Sequence, residues 1–261
     1  MLKLFKGDLL LFTPNGFKRA DELSKDDLLL SLNKDGSISF DEIEEINKVF
    51  KKKYNLNKIE GYYLNDNVEI CSIKNIPLNL ELNEMKEYIE NYRNNCLGLT
   101  KISELSTFDF IGFSIKNSDN QTTNNSNLNL KEIGQNVNKD KLLSLNQLFN
   151  LSKDELMELH SGLVENNTEI HIDASNKDTY HFLKYTCLLL GIPMYVIYKD
   201  GKLQIKISKK INENCNSNFI FNNFYWNKIK SIKKTTNFNG NLFNIKLKSN
   251  NAYLSDIGFI S

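Results

Sequence analysis

The stretch Leu4–Leu32, LFKGDLLLFTPNGFKRADELSKDDLLLSL, decides how the N-terminal part of the chain folds. It contains two apolar runs of strand length, Leu9–Phe12 and Leu28–Leu30. Between them, Thr13–Gly16 reads Thr-Pro-Asn-Gly, in which proline presets one dihedral angle and Asn-Gly tolerates positive φ. Phe17–Leu23 has the pattern of one short amphipathic turn. Periodicity alone therefore predicts a buried β-hairpin with a long connection.

The order of residues in this stretch is more specific than its periodicity. It resembles the opening block of the Hint family, the fold of inteins and hedgehog-type autoprocessing domains. That block has an aromatic residue, Gly-Asp, a strand, a Thr-Pro-x-Gly turn, Lys-Arg and a second strand. The matching residues are Phe5, Gly7, Asp8, Thr13, Pro14, Gly16, Lys18, Arg19, Leu23, Asp27, Leu28, Leu29 and Ser31. In the family a nucleophilic Cys or Ser stands first, and the corresponding residue here is Leu4.

The far end of the chain, LFNIKLKSNNAYLSDIGFIS at 242–261, resembles the closing blocks of the same family. The matching residues are Phe243, Ile245, Leu247, Asn251, Tyr253, Leu254, Asp256, Gly258 and Ile260. Family members end in His-Asn, whereas the last residue here is Ser261. The resemblance implies a Hint-type, horseshoe-shaped β fold formed by both ends of the chain, at 1–116 and 214–261.

Splicing in the resembled family needs a nucleophile, a Thr-x-x-His motif, a terminal Asn and a penultimate His. Leu4 cannot attack a carbonyl. In the Thr-x-x-His window Lys74 stands at the histidine position, and a shift of one residue gives Ser72 and Asn75. Cys71 is either a displaced nucleophile or a small buried strand residue. We therefore predict that the chain does not splice.

The middle of the chain predicts a separate α/β part. Ser152 and Glu155 form a capping box before a helix, and a strand, a second helix ending at Gly191 and a hairpin follow. This part resembles the LAGLIDADG homing endonucleases that are inserted in inteins. The matching residues are Leu156, Leu159, Gly162, Leu163, Val164, Leu188, Leu189, Leu190, Gly191 and Ile192. We predict an endonuclease-like half domain at 139–213, joined by a polar linker at 117–138.

The resemblance implies that acidic residues at the helix ends bind divalent metal ions for DNA cleavage. Here Glu165 keeps one carboxylate, and Asn167 replaces the usual metal-binding Asp. Glu165 is the candidate catalytic and Mg²⁺-binding residue if any endonuclease activity remains, and no other cofactor is predicted. A second half would have to come from 83–96 or from a homodimer formed through the 152–164 helix.

Candidate DNA contacts lie on the predicted hairpin and just after it. Lys202, Lys206, Lys209 and Lys210 would suit phosphates, and a solvated strand face is the alternative. Glu169 and Asp173 on the neighbouring strand argue against a strongly basic groove. The three histidines, His160, His171 and His181, are either polar structural residues or metal and proton-transfer groups.

Composition limits the remaining classes of function. The formal net charge is +1, so basic clusters are local, at Lys51–Lys53 and in 228–234. No apolar stretch approaches the ~20 residues of a membrane span, so no membrane partner is predicted. The four cysteines are scattered, which predicts reduced, buried thiols in an intracellular protein.

The sequence thus predicts an α+β chain with a mostly-β Hint-type part and an inserted α/β half domain. The favoured function is an intein-like protein that has lost splicing and DNA cleavage, with binding to double-stranded DNA as what could remain. The alternatives are an active homodimeric homing endonuclease and a structural subunit of a larger assembly.

Overall fold

The computed structural model describes residues 2–34, 36–74, 76–77, 80–114, 128–137, 142–166, 169–192, 194–208, 218–221 and 224–261. The chain divides into two compact units. Unit 1 comprises Met1–Ser118 and Asn216–Ser261, and unit 2 comprises Asp119–Cys215. No helix in the described ranges is both long and apolar enough to cross a lipid bilayer.

Unit 1 is mostly β, as predicted. Its strands are β1 (Phe5–Lys6), β2 (Leu10–Thr13), β3 (Gly16–Arg19), β4 (Leu28–Leu32), β5 (Ile38–Ile59), β6 (Tyr62–Leu64), β7 (Glu69–Ile73), β8 (Leu97–Lys101), β9 (Phe110–Ser114), β13 (Asn218–Phe221), β14 (Phe224–Lys228), β15 (Ile232–Leu247), β16 (Tyr253–Ser255) and β17 (Gly258–Ile260). The helix α1 (Leu82–Cys96) lies between β7 and β8. The strands form an antiparallel sheet whose main path is β13-β14-β9-β7-β17-β16-β4-β5-β15-β1-β6.

The opening stretch forms the predicted turn but not the predicted amphipathic turn after it. Thr13 Oγ1 donates to Gly16 O over 2.8 Å, and Gly16 takes a positive φ of 104°. The prediction for Phe17–Leu23 was wrong. Gly16–Arg19 continue as β3, antiparallel to β2, and only Ala20–Glu22 turn, as a 3₁₀ helix. Pairing with β2 outweighs the local helical pattern because it satisfies the backbone groups of β3.

The longest pair in the sheet joins β5 to β15. The segment 41–54, which the sequence leaves ambiguous between helix and strands, lies within the single 22-residue strand β5. β5 pairs with β15 from Ile43↔Leu247 to Ile59↔Ile232, with irregularities on both sides of Phe238 and between Lys246 and Leu247. We call the part of this pair formed by 46–59 and 230–245 the β5–β15 ribbon.

Unit 2 contains the predicted helices and hairpin. Its elements are α2 (Leu130–Gln135), α3 (Leu145–Phe149), α4 (Lys153–Asn166), β10 (Ile170–Asp173), α5 (Lys177–Leu190), β11 (Met194–Lys199) and β12 (Lys202–Ile207). The strands form an antiparallel sheet in the order β10-β12-β11. The capping box of α4 is present, because Ser152 N donates to Glu155 Oε2 and Glu155 N to Ser152 Oγ. Gly191 ends α5 at a φ of 67°.

The helix α2 lies in the segment predicted to be a polar linker. Within 117–138, Asn129 caps α2 by accepting from Glu132 N over 3.2 Å, and Leu130 is buried. Residues 117–127 of that segment lie outside the described ranges. A short stretch after a polar tract becomes helical here because α2 packs against α4.

Candidate functional site

The backbone of residues 2–4 is held by one buried asparagine. Leu4 N donates to Asn65 Oδ1 over 3.0 Å, and Asn65 N donates to Leu4 O over 2.8 Å. Asn65 Nδ2 donates to Leu2 O over 2.9 Å. Asn65 is 1% exposed, so these bonds are little weakened by competition with water. The segment leading into β1 is therefore fixed.

The peptide bond Lys3–Leu4 is the one that the Hint resemblance places at the N-terminal splice junction. Its carbonyl oxygen, Lys3 O, accepts from Asn244 Nδ2 over 2.9 Å. Such a donor polarises a carbonyl as one member of an oxyanion hole would. Its N–H donates a hydrogen bond to Asn65 Oδ1, an amide oxygen that has no proton to give to a leaving nitrogen. These two contacts fix the nitrogen and the carbonyl oxygen of the Lys3–Leu4 peptide bond.

The Leu4 side chain is part of the core. It is 2% exposed and packs with Leu56 and Leu242. Four partly buried residues lie against this cluster: Val49, Tyr54, Tyr63 and Phe238. An apolar side chain stands where the resembled family has its nucleophile, and the surrounding residues form an apolar site that suits it.

Ser261 meets the start of the chain at β7. Ser261 N donates to Glu69 O over 2.9 Å, and Glu69 N donates to Ser261 O over 3.2 Å. Lys3 Nζ lies 2.7 Å from Glu69 Oε2 and 2.8 Å from Ser261 Oγ, which donates to Glu69 Oε2. A pocket of about 250 Å³ adjoins these three residues.

The contacts of Glu69 with Lys3 and Ser261 determine the direction in which the pKa of Glu69 is shifted. Burial alone would raise the pKa of Glu69, but the hydrogen bonds from Lys3 and Ser261 and the charge of Lys3 outweigh it. The pKa of Glu69 therefore lies below its usual value. Lys3 Nζ donates to both the Glu69 carboxylate and the Ser261 hydroxyl, so it contacts Ser261 as a hydrogen-bond donor.

Lys74, Cys71 and Ser72, the other predicted splicing positions that the structure describes, lie in separate environments. Lys74 Nζ lies 3.4 Å from Glu104 Oε2 in a salt bridge. Burial raises the pKa of the Cys71 thiol to about 12, so almost no nucleophilic thiolate exists at neutral pH. Ser72 is fully buried, and its Oγ has no hydrogen-bond partner in the part of the chain that is described. Asn75 lies outside that part.

Glu165 is exposed at the end of α4 and is bound by two donors from α2. Lys131 Nζ lies 2.9 Å from Glu165 Oε2, and Gln135 Nε2 donates to the same oxygen over 2.9 Å. Both interactions lower the pKa of Glu165.

These neighbours are the wrong kind for a divalent ion. A divalent ion needs several oxygen ligands, whereas both neighbours present N–H groups to the carboxylate. Among the described residues, no three His, Cys, Asp or Glu side chains are grouped to hold a metal. The residues at Glu165 therefore do not fit Mg²⁺, and Asn167 is outside the described ranges.

Glycines allow α2 and α4 to approach at backbone distance. A Cβ on Gly134 would lie 2.3 Å from Leu159 O, and one on Gly162 would lie 2.0 Å from Lys131 O. No side chain fits at either position, so both glycines are required by packing. Gly162 is among the residues that carry the sequence resemblance, whereas Gly134 is not. At Gly162 the 152–164 helix, which was predicted to form a homodimer, lies against α2 of the same chain, and the homodimer stays a prediction.

The unit 2 sheet has a face of mixed charge. Register places His171 beside Gln204 and Asp173 beside Lys202. Lys206 Nζ lies 3.5 Å from Glu169 Oε1, so a carboxylate partly neutralises this candidate DNA contact. Lys209 and Lys210 lie outside the described ranges.

The three histidines have different environments. His160 is 4% exposed, its Nε2 lies 3.0 Å from Ser208 O, and burial lowers its pKa. A neutral ring that donates to this carbonyl explains the contact. His181 is also buried, whereas His171 is exposed, with Nε2 3.5 Å from Glu169 Oε2.

Comparisons with known proteins give structural similarity alone. No family model matches the chain. No curated protein matches it either. Among solved structures, it is similar to the Ssp DnaB mini-intein variant M86, with 11% identity and a TM-score of 0.43 over 99% of this chain and 92% of that chain. The G-1F mutant of that mini-intein gives 11% and 0.44, over 99% and 97%. A double mutant of the same mini-intein gives 11% and 0.42, over 100% and 93%. At this identity the similarity concerns the course of the chain and not its chemistry.

Proposed function

We propose that this chain is an intein-like protein that does not splice and that persists as a binding scaffold. The observation that carries the proposal is the environment of Leu4. An apolar side chain, buried in an apolar cluster, occupies the position at which the resembled family has its nucleophile. The adjoining peptide bond is held by Asn65 and Asn244, and Asn65 presents an acceptor to its nitrogen instead of an acid.

The test is a fusion with a reporter domain joined before Met1. The wild-type fusion and its Leu4→Cys variant are incubated with dithiothreitol or hydroxylamine, which release the reporter from any thioester. We expect no release from either, because a new thiol at position 4 would still lack an imidazole at Lys74 and would still face the acceptor of Asn65. Circular dichroism of the variant checks that it folds. Release of the reporter from Leu4→Cys alone would refute the proposal.

We also propose that unit 2 does not cleave DNA. Lys131 and Gln135 donate to the Glu165 carboxylate, and these N–H donors argue against a metal ion at that position. The measurement is nicking of supercoiled plasmid with Mg²⁺, with Glu165→Gln as the control. Cutting that needs Mg²⁺ and disappears in Glu165→Gln would favour the alternative, a working endonuclease. Residual DNA contact through Lys202 and Lys206 belongs to the same proposal, and their exposed side chains support it.

A further inference from the structure

The β5–β15 ribbon and its immediate flank concentrate positive charge in a chain that is otherwise acidic. Residues 46–59 and 227–245 carry nine of the 33 basic residues and none of the 32 acidic ones. The nine are Lys48, Lys51, Lys52, Lys53, Lys58, Lys228, Lys230, Lys233 and Lys234. In the described part of the chain, none of them forms a salt bridge, unlike Lys246 on β15 and Lys248 just after it, which pair with Glu44 and Glu42. The net charge of +1 conceals this segregation.

The strand pairing brings lysines together and does not place carboxylates beside them. Lys58 lies directly opposite Lys233 across β5 and β15, and like charges at such positions are destabilising. Glu60, the carboxylate that follows β5, accepts from Lys230 N and Ser231 N through its side chain. The ribbon therefore has a net positive field that a polyanion would neutralise.

The shape of the ribbon favours duplex DNA among polyanions. The residues 46–59 span about 45 Å at the usual rise of a strand, which exceeds one turn of B-form DNA. β1 pairs with β15 at 242–243, and β6 pairs with β5 at 57–59. Between these pairings, the part formed by 50–56 and 235–241 has two strands alone among the described residues, and a two-stranded segment fits the major groove. Exposed asparagines, Asn55, Asn237 and Asn241, lie among the lysines, and their amides suit base edges. Phe50 is an exposed aromatic side chain on the ribbon, and a single such group gives little apolar area for a lipid surface.

We infer that the β5–β15 ribbon is a binding surface for double-stranded DNA, dominated by lysine–phosphate contacts and weak in sequence preference. This surface is in unit 1 and uses none of the candidate lysines of unit 2. The inference does not depend on the proposed loss of splicing, because a splicing-active chain would present the same lysines.

The experiment measures the affinity of the full chain for a fluorescent duplex by anisotropy. The duplex has about 25 base pairs, enough for roughly two helical turns, and the salt series runs from about 50 to 200 mM NaCl. The ribbon variant replaces Lys52, Lys233 and Lys234 by Gln, since these three side chains are exposed. The matched control replaces three exposed lysines elsewhere, Lys25, Lys153 and Lys177, by Gln.

Two further measurements keep the outcomes distinct. A unit 2 variant with Lys202→Gln and Lys206→Gln reports the contact that the proposed function assigns to that unit. Thermal melts confirm that each multiple variant folds.

We expect the ribbon variant to lose about tenfold or more in affinity and to lower the slope of log K against log salt by about two to three, at roughly 0.9 per phosphate contact. The matched control should stay within about twofold of wild type. Three outcomes would overturn the inference: no salt-dependent binding by wild type, equal binding by the ribbon variant, or a loss in the unit 2 variant alone. A fourth is binding to phosphatidylserine vesicles, lost in the ribbon variant, with no binding to the duplex.

Discussion

The Leu4 site in unit 1 and the Glu165 site in unit 2 each differ from what the sequence resemblance implies, and they differ in different ways. At Leu4 the reactive side chain is replaced by an apolar one that is buried and held through the backbone by asparagines. At Glu165 the carboxylate remains, and Lys131 and Gln135 donate hydrogen bonds to it at the surface. Packing in the core fixes the Leu4 side chain. An exposed ion pair with Lys131, beside the tight contact of α2 with α4, holds the Glu165 carboxylate. The two should therefore differ sharply in what substitution costs.

The largest effect is expected where the helix contact is tightest. Gly162→Ala places a Cβ 2.0 Å from Lys131 O, so α2 must move away from α4. We expect a loss of about 3 kcal/mol in unfolding free energy, as for overpacked sites. Urea unfolding measures it, and Gly98→Ala is the control, because nothing lies within 4 Å of a Cβ there. Equal stabilities for the two variants would show that the helices do not meet as described.

Removing the Leu4 side chain tests the packed site directly. Leu4→Ala should cost about 2–4 kcal/mol, because it removes buried atoms and leaves a cavity beside Leu56 and Leu242. Leu2→Ala is the control, since Leu2 is 50% exposed and should change stability by less than about 0.5 kcal/mol. Chemical denaturation of both variants gives the comparison. A Leu4→Ala variant as stable as Leu2→Ala would mean that position 4 is not part of the core.

A smaller effect is expected from the Glu69 carboxylate of β7, which contacts Lys3 and Ser261. The pKa of Glu69 is lowered in the folded state, so its contribution is present above pH 4.5, its ordinary value, and is lost as pH falls through the lowered pKa. Glu69→Gln should therefore lose about 1 kcal/mol at neutral pH relative to wild type. The difference should vanish under acid conditions. Glu104→Gln, at the exposed Lys74 salt bridge, is the control, and melts at a series of pH values measure both. A gap that widens on acidification would contradict the assignment.

The smallest effect is expected at the exposed ion pair. Lys131→Gln should leave the melting temperature unchanged within error, because exposed pairs contribute little. The pKa of Glu165 should nevertheless rise toward its ordinary value, since Lys131 is its main partner. Carboxyl titration by NMR detects this change, and Lys153→Gln at the other end of α4 is the control. An unchanged Glu165 pKa would remove Lys131 from the site.

Local chemistry made part of this structure predictable from sequence. The Thr13–Gly16 turn, the Ser152 cap and the Gly191 stop each depend on residues within a few positions of one another. The helix α2 was missed because its decisive residue, Gly134, has meaning only beside Leu159 and Leu163 of another helix. Taken alone, a glycine inside so short a stretch argues against a helix.

The residues that hold Leu4 were missed for a related reason. Asn65 is 61 positions from Leu4, and Asn244 is 241 positions from Lys3. Neither asparagine has a local motif, in a chain with many asparagines, so only the assembled sheet brings them to the segment. The predicted positions Leu4 and Ser261 are linked through Lys3, whereas Lys74 is engaged by Glu104.

The pairing of β5 with β15 also determines the order in which the molecule can assemble. Their paired residues are separated by the whole of unit 2, from Ile59↔Ile232 to Ile43↔Leu247. During synthesis, β5 must therefore wait for β15, and contacts of such long sequence separation form slowly. Meanwhile β5 is a long strand without this neighbour, a form that invites aggregation. Lys51–Lys53 near its middle are the kind of residue that prevents strands from pairing with other chains. We therefore expect these lysines to oppose pairing of β5 with other chains until the C-terminal strands are synthesised.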